Sequence, residues 1–281
     1  QDCATNMYCQ YADGFHATGV CKYDCAAQPS PAAQCGYDLG DPIVYQDLAG
    51  WTNTYINFEM PYNHPVEIEI SRVDGIPITT GVVHPARKGT SIVADGKVLV
   101  TISDPAQITV DIDGQMDGQH TGYGYEGPPI HTLTIFSNPS LQDRPHPLDQ
   151  RVQLVEAGGA NLASIDLNGD GWDILYFEPG IHDIGAGFPV HQGKSYYIPG
   201  DAIVYGALRN DDWNNGNNIR IFGFGTLSGA RLAHPLHTSP PLIDQTMHNP
   251  INIAGAYDTS VEGITIADSA HHSLMLYAGY D

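Results

Sequence analysis

The stretch "DILYFEPGIHDIG" (Asp173–Gly185) is followed by "SYYIPGDAIVYGALRN" (Ser195–Asn210) and then by "NIRIFGFGTLSGAR" (Asn218–Arg231). Each carries an apolar run of strand type that stops at a Pro or Gly and restarts. The runs are more continuously apolar than a strand with one wet face, and the polar excursions between them are longer than hairpin turns. Their return at irregular intervals of about 20–30 residues is the texture of a solenoid whose coils each supply short strands. In a right-handed parallel β-helix the coils stack about 4.8 Å apart, and strips of Ile, Val, Leu and Phe line up coil on coil. Residues 151–281 therefore read as the first coils of such a helix, incomplete at the C-terminal end. The last residues, "SLMLYAGYD", form an apolar strand with nothing after it, and a β-helix covers its open ends. Either more coils or another chain is expected to cover that strand.

Toward the N-terminus the pattern changes. Short alternating runs follow one another: "TYINFEMP", "PVEIEISRV", "IPITTGVVHP", "GKVLVTIS", "AQITVDIDG" and "IHTLTIFSNP". In "VEIEI", Val66, Ile68 and Ile70 point one way and Glu67 and Glu69 the other, as in a half-buried antiparallel strand. Turn signals stand at Asp74-Gly75, Asp95-Gly96 and Asp113-Gly114. These runs fit an antiparallel β-sandwich over residues 40–150, closed by the linker-like "SLQDRPHPLDQ" (Ser140–Gln150).

Residues 1–39 are different again. All five cysteines (Cys3, Cys9, Cys21, Cys25 and Cys35) lie there among small polar residues, ahead of or within the Pro-containing linker "AAQPSPAAQC" (Ala26–Cys35). Such a segment buries too little to fold on hydrophobicity, so disulfides are the expected staple, with their pairing open and one cysteine left over. A zinc site is the rival reading, but paired C-x2-C knuckles are missing. The fold class expected is all-β: a disulfide-rich segment, an antiparallel sandwich, and the start of a parallel β-helix. The chain holds 31 Gly, 20 Pro and 16 Tyr, and no amphipathic helix of three turns can be found in it.

With 11 Lys+Arg against 32 Asp+Glu, the net charge is −21. That surface repels phosphate backbones and anionic lipid, which argues against nucleic-acid and membrane partners. No apolar run approaches the roughly 18–20 residues of a membrane span. The chain opens on Gln1, as a secreted protein stripped of its leader would, so an extracellular location is expected.

Several constellations bear on chemistry. "DLNGDGWD" (Asp166–Asp173) opens like a calcium loop, with Asp166, Asn168, Asp170 and Asp173 as oxygen ligands, but it lacks the bidentate Glu that completes one. A plain turn competes with a structural calcium there. The adjacent pair Asp211-Asp212 in "NDDWNNGNN" reads as a solvated turn. The thirteen histidines are scattered without metal spacing. "GFGTLSG" (Gly223–Gly229) mimics a phosphate loop without a following helix, so its glycines are better suited to tight corners. Trp172, Trp213, Tyr196, Tyr197 and Tyr277 could stack on sugar faces or fill the coils.

The order of the coils carries a resemblance. "ILYFEPGIHDI", "YYIPGDAIVYGAL", "NIRIFGFGTLSGARLAHP" and "VEGITIADSAHHSLMLYAG" resemble the early coils of the polysaccharide-acting β-helix hydrolases. The preceding "VEIEI…VVHPARKG…VLVTISDPAQITVDIDG…TLTIFSNP" narrows the likeness to glycoside hydrolase family 49, the dextranases and isopullulanases. Polygalacturonases share the helix but usually lack that sandwich. The resemblance covers residues 40–281 and implies inverting hydrolysis of a glycan, with one Asp donating a proton and another activating water. It places those aspartates on coils after "VEGITIADS", beyond residue 281, and gives Asp281 no catalytic role. It implies a polysaccharide partner, best a neutral glucan given the charge, and no required cofactor. Two readings compete: a non-catalytic adhesive or filament-forming protein that assembles with other chains, and a carbohydrate-binding module.

Overall fold

The computed structural model describes residues 4–10, 16–22, 43–46, 52–72, 75–114, 131–232, 249–269 and 272–277. The chain forms two compact units, Gln1–Leu141 and Gln142–Asp281.

The first unit is built from β1 (Ala4–Gln10), β2 (His16–Lys22), β3 (Ile43–Gln46), β4 (Thr52–Met60), β5 (Val66–Arg72), β6 (Gly81–His84), β7 (Thr90–Ala94), β8 (Lys97–Ile102), β9 (Ala106–Ile112) and β10 (His131–Pro139). They make two five-stranded sheets, ordered β1-β2-β5-β8-β7 and β3-β4-β10-β9-β6. Only β4 and β10 run parallel; the other pairs are antiparallel. The alternation in β5 does what its spelling implies: Val66, Ile68 and Ile70 are buried and Glu67 is exposed. Ile68 and Val100 of the first sheet share one apolar core with Ile56, Ile108 and Ile135 of the second. Asp95 and Gly96 turn β7 into β8 with φ of 51° and 74°. Positive φ at both positions matches the right-handed twist of the flanking strands, which is why Asp-Gly suits this hairpin.

The backbone of β2 pairs with β5, so the Cys-rich head contributes strands to the first sheet instead of standing apart from it. The second unit begins at Gln142, within the linker-like Ser140–Gln150, and Asp143 ion-pairs with Arg220 of that unit. Cys3, Cys25 and Cys35 lie outside the described residues, and of Cys9 and Cys21 only the backbone is described. The disulfide expectation therefore falls outside the described side chains.

In the second unit every strand pair is parallel. The strands are β11 (Val152–Val155), β12 (Ile174–Phe177), β13 (Gly180–Pro189), β14 (Ser195–Ile198), β15 (Ala202–Asn210), β16 (Arg220–Gly223), β17 (Thr226–Ser228), β18 (Ile251–Ala254), β19 (Ser260–Glu262), β20 (Thr265–Ala267) and β21 (Leu274–Tyr277). One sheet runs β11-β12-β14-β16-β19; the other runs β20-β17-β15-β18-β21, with β13 also pairing β15. From β12 to β17 successive strands alternate between the two sheets, and equivalent strands stack in register, Leu175 beside Tyr196, Tyr196 beside Ile221 and Ile221 beside Val261. Leu175, Tyr196 and Ile221 point into one core with Phe177, Ile198, Val204 and Leu227, which explains the repeated apolar runs.

Glycine makes the corners of this stack. At Gly223, φ is 126° and a Cβ would lie 2.0 Å from the Ile198 carbonyl oxygen. At Gly263, φ is 78° and a Cβ would lie 2.2 Å from the Gly223 carbonyl oxygen. Side chains cannot enter either corner, so "GFGTLSG" begins at a bend between sheets and not at a phosphate loop.

Candidate functional site

A polar cleft of about 540 Å³ opens in the second unit. Its walls are the Leu167–Asp170 loop, the Gly187–Lys194 turn that ends β13, and the Arg209–Asn215 turn that ends β15. Each wall is held by its own sequence. In the third, the Asn210 side chain donates to the Asn215 carbonyl at 2.6 Å and its Oδ1 accepts the Asp212 N–H at 2.7 Å. The Asp212 carboxylate accepts the Asn214 N–H at 2.9 Å and the Asn215 side-chain amide. The Asn214 N–H, followed by the Asn215 amide, holds the Asp212 carboxyl below the usual carboxylate range. Arg209 Nε sits 2.7–2.8 Å from both oxygens of Asp211. The Asp-Asn-rich turn is therefore a self-tied Asx structure, as short polar side chains favour.

The second wall hangs on aromatic packing. The Tyr196 hydroxyl, fully buried, accepts the His191 N–H at 2.8 Å. Burial pushes the Tyr196 phenol well above its usual range, so it stays protonated. Tyr196 meets the ring of Trp172 edge to face at 6.1 Å, and Trp172 Nε1 donates to the Asp166 carbonyl at 3.0 Å. Burial first, and then the Lys194 charge, lowers the His191 pKa. The His191 Nε2 is buried without a hydrogen-bond partner.

The first wall belongs to the loop whose spelling resembles a calcium site. Asp173 forms a two-point pair with Arg151, and that bond, ahead of the charge of the guanidinium, depresses its carboxyl. Asp166 turns onto its own loop, accepting the Asn168 N–H at 3.2 Å. Asn168 and Asp170 face the cleft. The cation that organises this loop is internal. Lys194 Nζ donates to the Gly169 carbonyl at 3.2 Å and to the Trp172 carbonyl, and it stands 4.7 Å from the Trp172 ring centre. Among the described residues no group of three or more His, Cys, Asp or Glu is arranged to hold a metal.

Of the aromatics singled out, Trp172, Tyr196 and Tyr197 are buried, whereas Trp213 (54% exposed) and Tyr277 (37%) face each other with ring centres 5.8 Å apart. His182 is a core residue, its Nε2 2.6 Å from the Glu178 carbonyl oxygen. Asp211 and Asp212, read from sequence as a solvated turn, do form a tied turn, and that turn is also a cleft wall. Sequence reasoning missed the cleft because its walls come from three separate excursions. Their common signal was polarity alone. Asp281 lies outside the described residues.

No family model matches the chain, and a sequence search of curated proteins returns no match. Among solved structures the chain is similar to Dex49A from Penicillium minioluteum, with a TM-score of 0.60 and 18% sequence identity over 83% of this chain and 46% of that one. The chain thus spans less than half the length of that protein. The resemblance read from the order of the coils holds at the level of the fold: this all-β chain folds as the matching part of Dex49A does.

Proposed function

We propose that this chain is part of a secreted glycoside hydrolase of the dextranase and isopullulanase type, acting on a neutral glucan. The observation that carries the reading is the fold shared with Dex49A, a family 49 dextranase, along 83% of the chain. On this reading the first unit is the antiparallel sandwich and the second the opening coils of a right-handed β-helix. Hydrolysis proceeds with inversion at a pair of aspartates beyond residue 281, one protonating the glycosidic oxygen and the other activating water on the opposite face of the sugar. The net charge of −21 supports a neutral polymer over polygalacturonate, whose carboxylates it would repel. A disulfide-bonded head suits an extracellular protein. No described helix is long and apolar enough to cross a membrane.

The intact mass of the native polypeptide is the first measurement, against the 30.3 kDa of this chain. The native protein is then incubated with dextran and with pullulan, following new reducing ends and the anomer released by proton NMR. Release of the inverted anomer from either glucan is the expected result. No release from either would sink the hydrolase reading.

An assembly protein is the second reading, and one observation favours it: Leu274 and Leu276 of β21 are 40% and 42% exposed on a strand that pairs with β18. An oligomer in which those residues are buried, with no hydrolysis, is its signature.

A further inference from the structure

We propose that the cleft between the Leu167–Asp170 loop, the Gly187–Lys194 turn and the Arg209–Asn215 turn binds a short neutral oligosaccharide, as an accessory site that needs no catalytic pair. Its size, about 540 Å³, lies within the range of small-molecule sites. Some polar groups on its walls are engaged and others are not.

The cations are committed. Arg209 is on Asp211 and Lys194 is on two backbone carbonyls, so an anionic ligand finds no unengaged positive charge. The unengaged groups are of another kind. The side chains of Asn168, Asp170 and Gln192 line the cleft and form no hydrogen bond among the described residues. Two side-chain amides and a carboxylate thus offer both donors and acceptors on the cleft walls. Sugar hydroxyls need that pairing, because each both donates and accepts. A divalent cation is the poorer fit, since no group of three ligands converges among the described residues. An apolar ligand is poorer still, with so many polar side chains on the walls.

The walls are also rigid. Asn210, Asp212 and Asn215 fix one turn through mutual hydrogen bonds, and Tyr196 fixes the other through His191. Little ordering remains to be done on binding, which favours affinity. The choice of glucan as ligand rests on the proposed function; the existence of a neutral-sugar site does not.

The test uses the 281-residue chain, titrated calorimetrically and by tryptophan fluorescence with isomaltotriose, maltotriose and trigalacturonate. Expected is saturable binding of a neutral trisaccharide, with no saturation by trigalacturonate. Gln192→Ala and Asp170→Asn, both at exposed positions, should each weaken it about five- to tenfold, the effect of one lost hydrogen bond. Leu148→Ser, at a residue 85% exposed away from the cleft, should leave it unchanged. Absence of saturable binding by either neutral sugar overturns the proposal, and so does equal affinity in both cleft variants and the parent. A native protein that hydrolyses dextran while this chain binds no trisaccharide refutes the accessory site alone. Binding without hydrolysis refutes the hydrolase reading alone.

Discussion

At the scale of single residues, the corner glycine and the internal cation make opposite kinds of demand. Gly223 is required for what it lacks. With φ at 126° and a carbonyl 2.0 Å from any Cβ, Gly223→Ala combines backbone strain with overlap that only a shift of the coil can relieve. A loss of about 3 kcal/mol or more is expected by chemical denaturation. Lys194 is required for what it donates. Lys194→Met keeps the aliphatic stem on Trp172 but strips the donors from the Gly169 and Trp172 carbonyls, for an expected loss of about 1–3 kcal/mol. Because an ammonium already serves the loop, EDTA should leave the melting temperature of the parent unchanged, and calcium should not restore the variant. A drop on chelation would show that a metal shares the loop. His191 adds a pH signature. Its folded pKa lies below the ordinary 6.5, so the unfolded chain takes up a proton first as pH falls. The stability it contributes is intact above 6.5 and is lost as pH falls from there through the folded value. His191→Gln should flatten the stability profile in that window, and a profile parallel to the parent would exclude the effect.

Among elements, legibility followed periodicity. The alternation of β5 and the Asp95-Gly96 hairpin were readable because a period of two and a positive-φ dipeptide are local signals. The continuous runs of β14 and β16 are readable as parallel strands because burial on both faces erases alternation: Tyr197 and Phe222 point away from the core that holds Tyr196 and Ile221, yet are also buried. Other elements carried no such mark. β7, "TSIVA", is mostly exposed along its length and was not distinguished from the loop before it. β1 and β2 carry no such pattern, and they join the first sheet through the pairing of β2 with β5 and of β1 with β2. The cleft was illegible for a related reason. Its unengaged Asn168, Asp170 and Gln192 are spelled like the turn-forming Asp212 and Asn215, and only the hydrogen bonds separate the two sets. The stacking of parallel strands makes a further claim on Leu175, which is fully buried and lies between Gln153 and Tyr196 in the register. Leu175→Ala leaves a cavity inside the coil core and should cost about 2–5 kcal/mol, read from the denaturation midpoint.

For the whole molecule, charge sets the terms of stability. Among the cations, Arg72, Lys97, Arg151, Arg209, Arg220 and Arg231 all lie against carboxylates, while the chain as a whole carries 32 acidic residues against 11 basic ones. Exposed pairs of this kind contribute about 0–1 kcal/mol each, so the repulsion among the surplus carboxylates outweighs what salt would take from the pairs. Added sodium chloride should therefore raise the melting temperature, and a fall would show that the pairs dominate. Acid separates the two effects further. As pH approaches the ordinary carboxylate value of 3.8 from above, unpaired carboxylates protonate first and repulsion eases. Asp143 behaves differently, because its bond from Arg220 lowers its folded pKa. A depressed carboxylate contributes stability that is present above 3.8 and lost as pH falls through its folded value. Asp183, held down by Arg231, and Asp173, held down by Arg151, add to the same limb. The contribution of these carboxylates should thus hold up in mild acid, where His191 alone draws on stability, and fall away beneath 3.8. Asp143→Asn removes one of these groups and leaves Arg220 its pair with Glu262, so the fall should become shallower without loss of the fold. An acid limb identical to the parent's would mean that the Asp143–Arg220 pair contributes nothing to holding the start of the second unit in place.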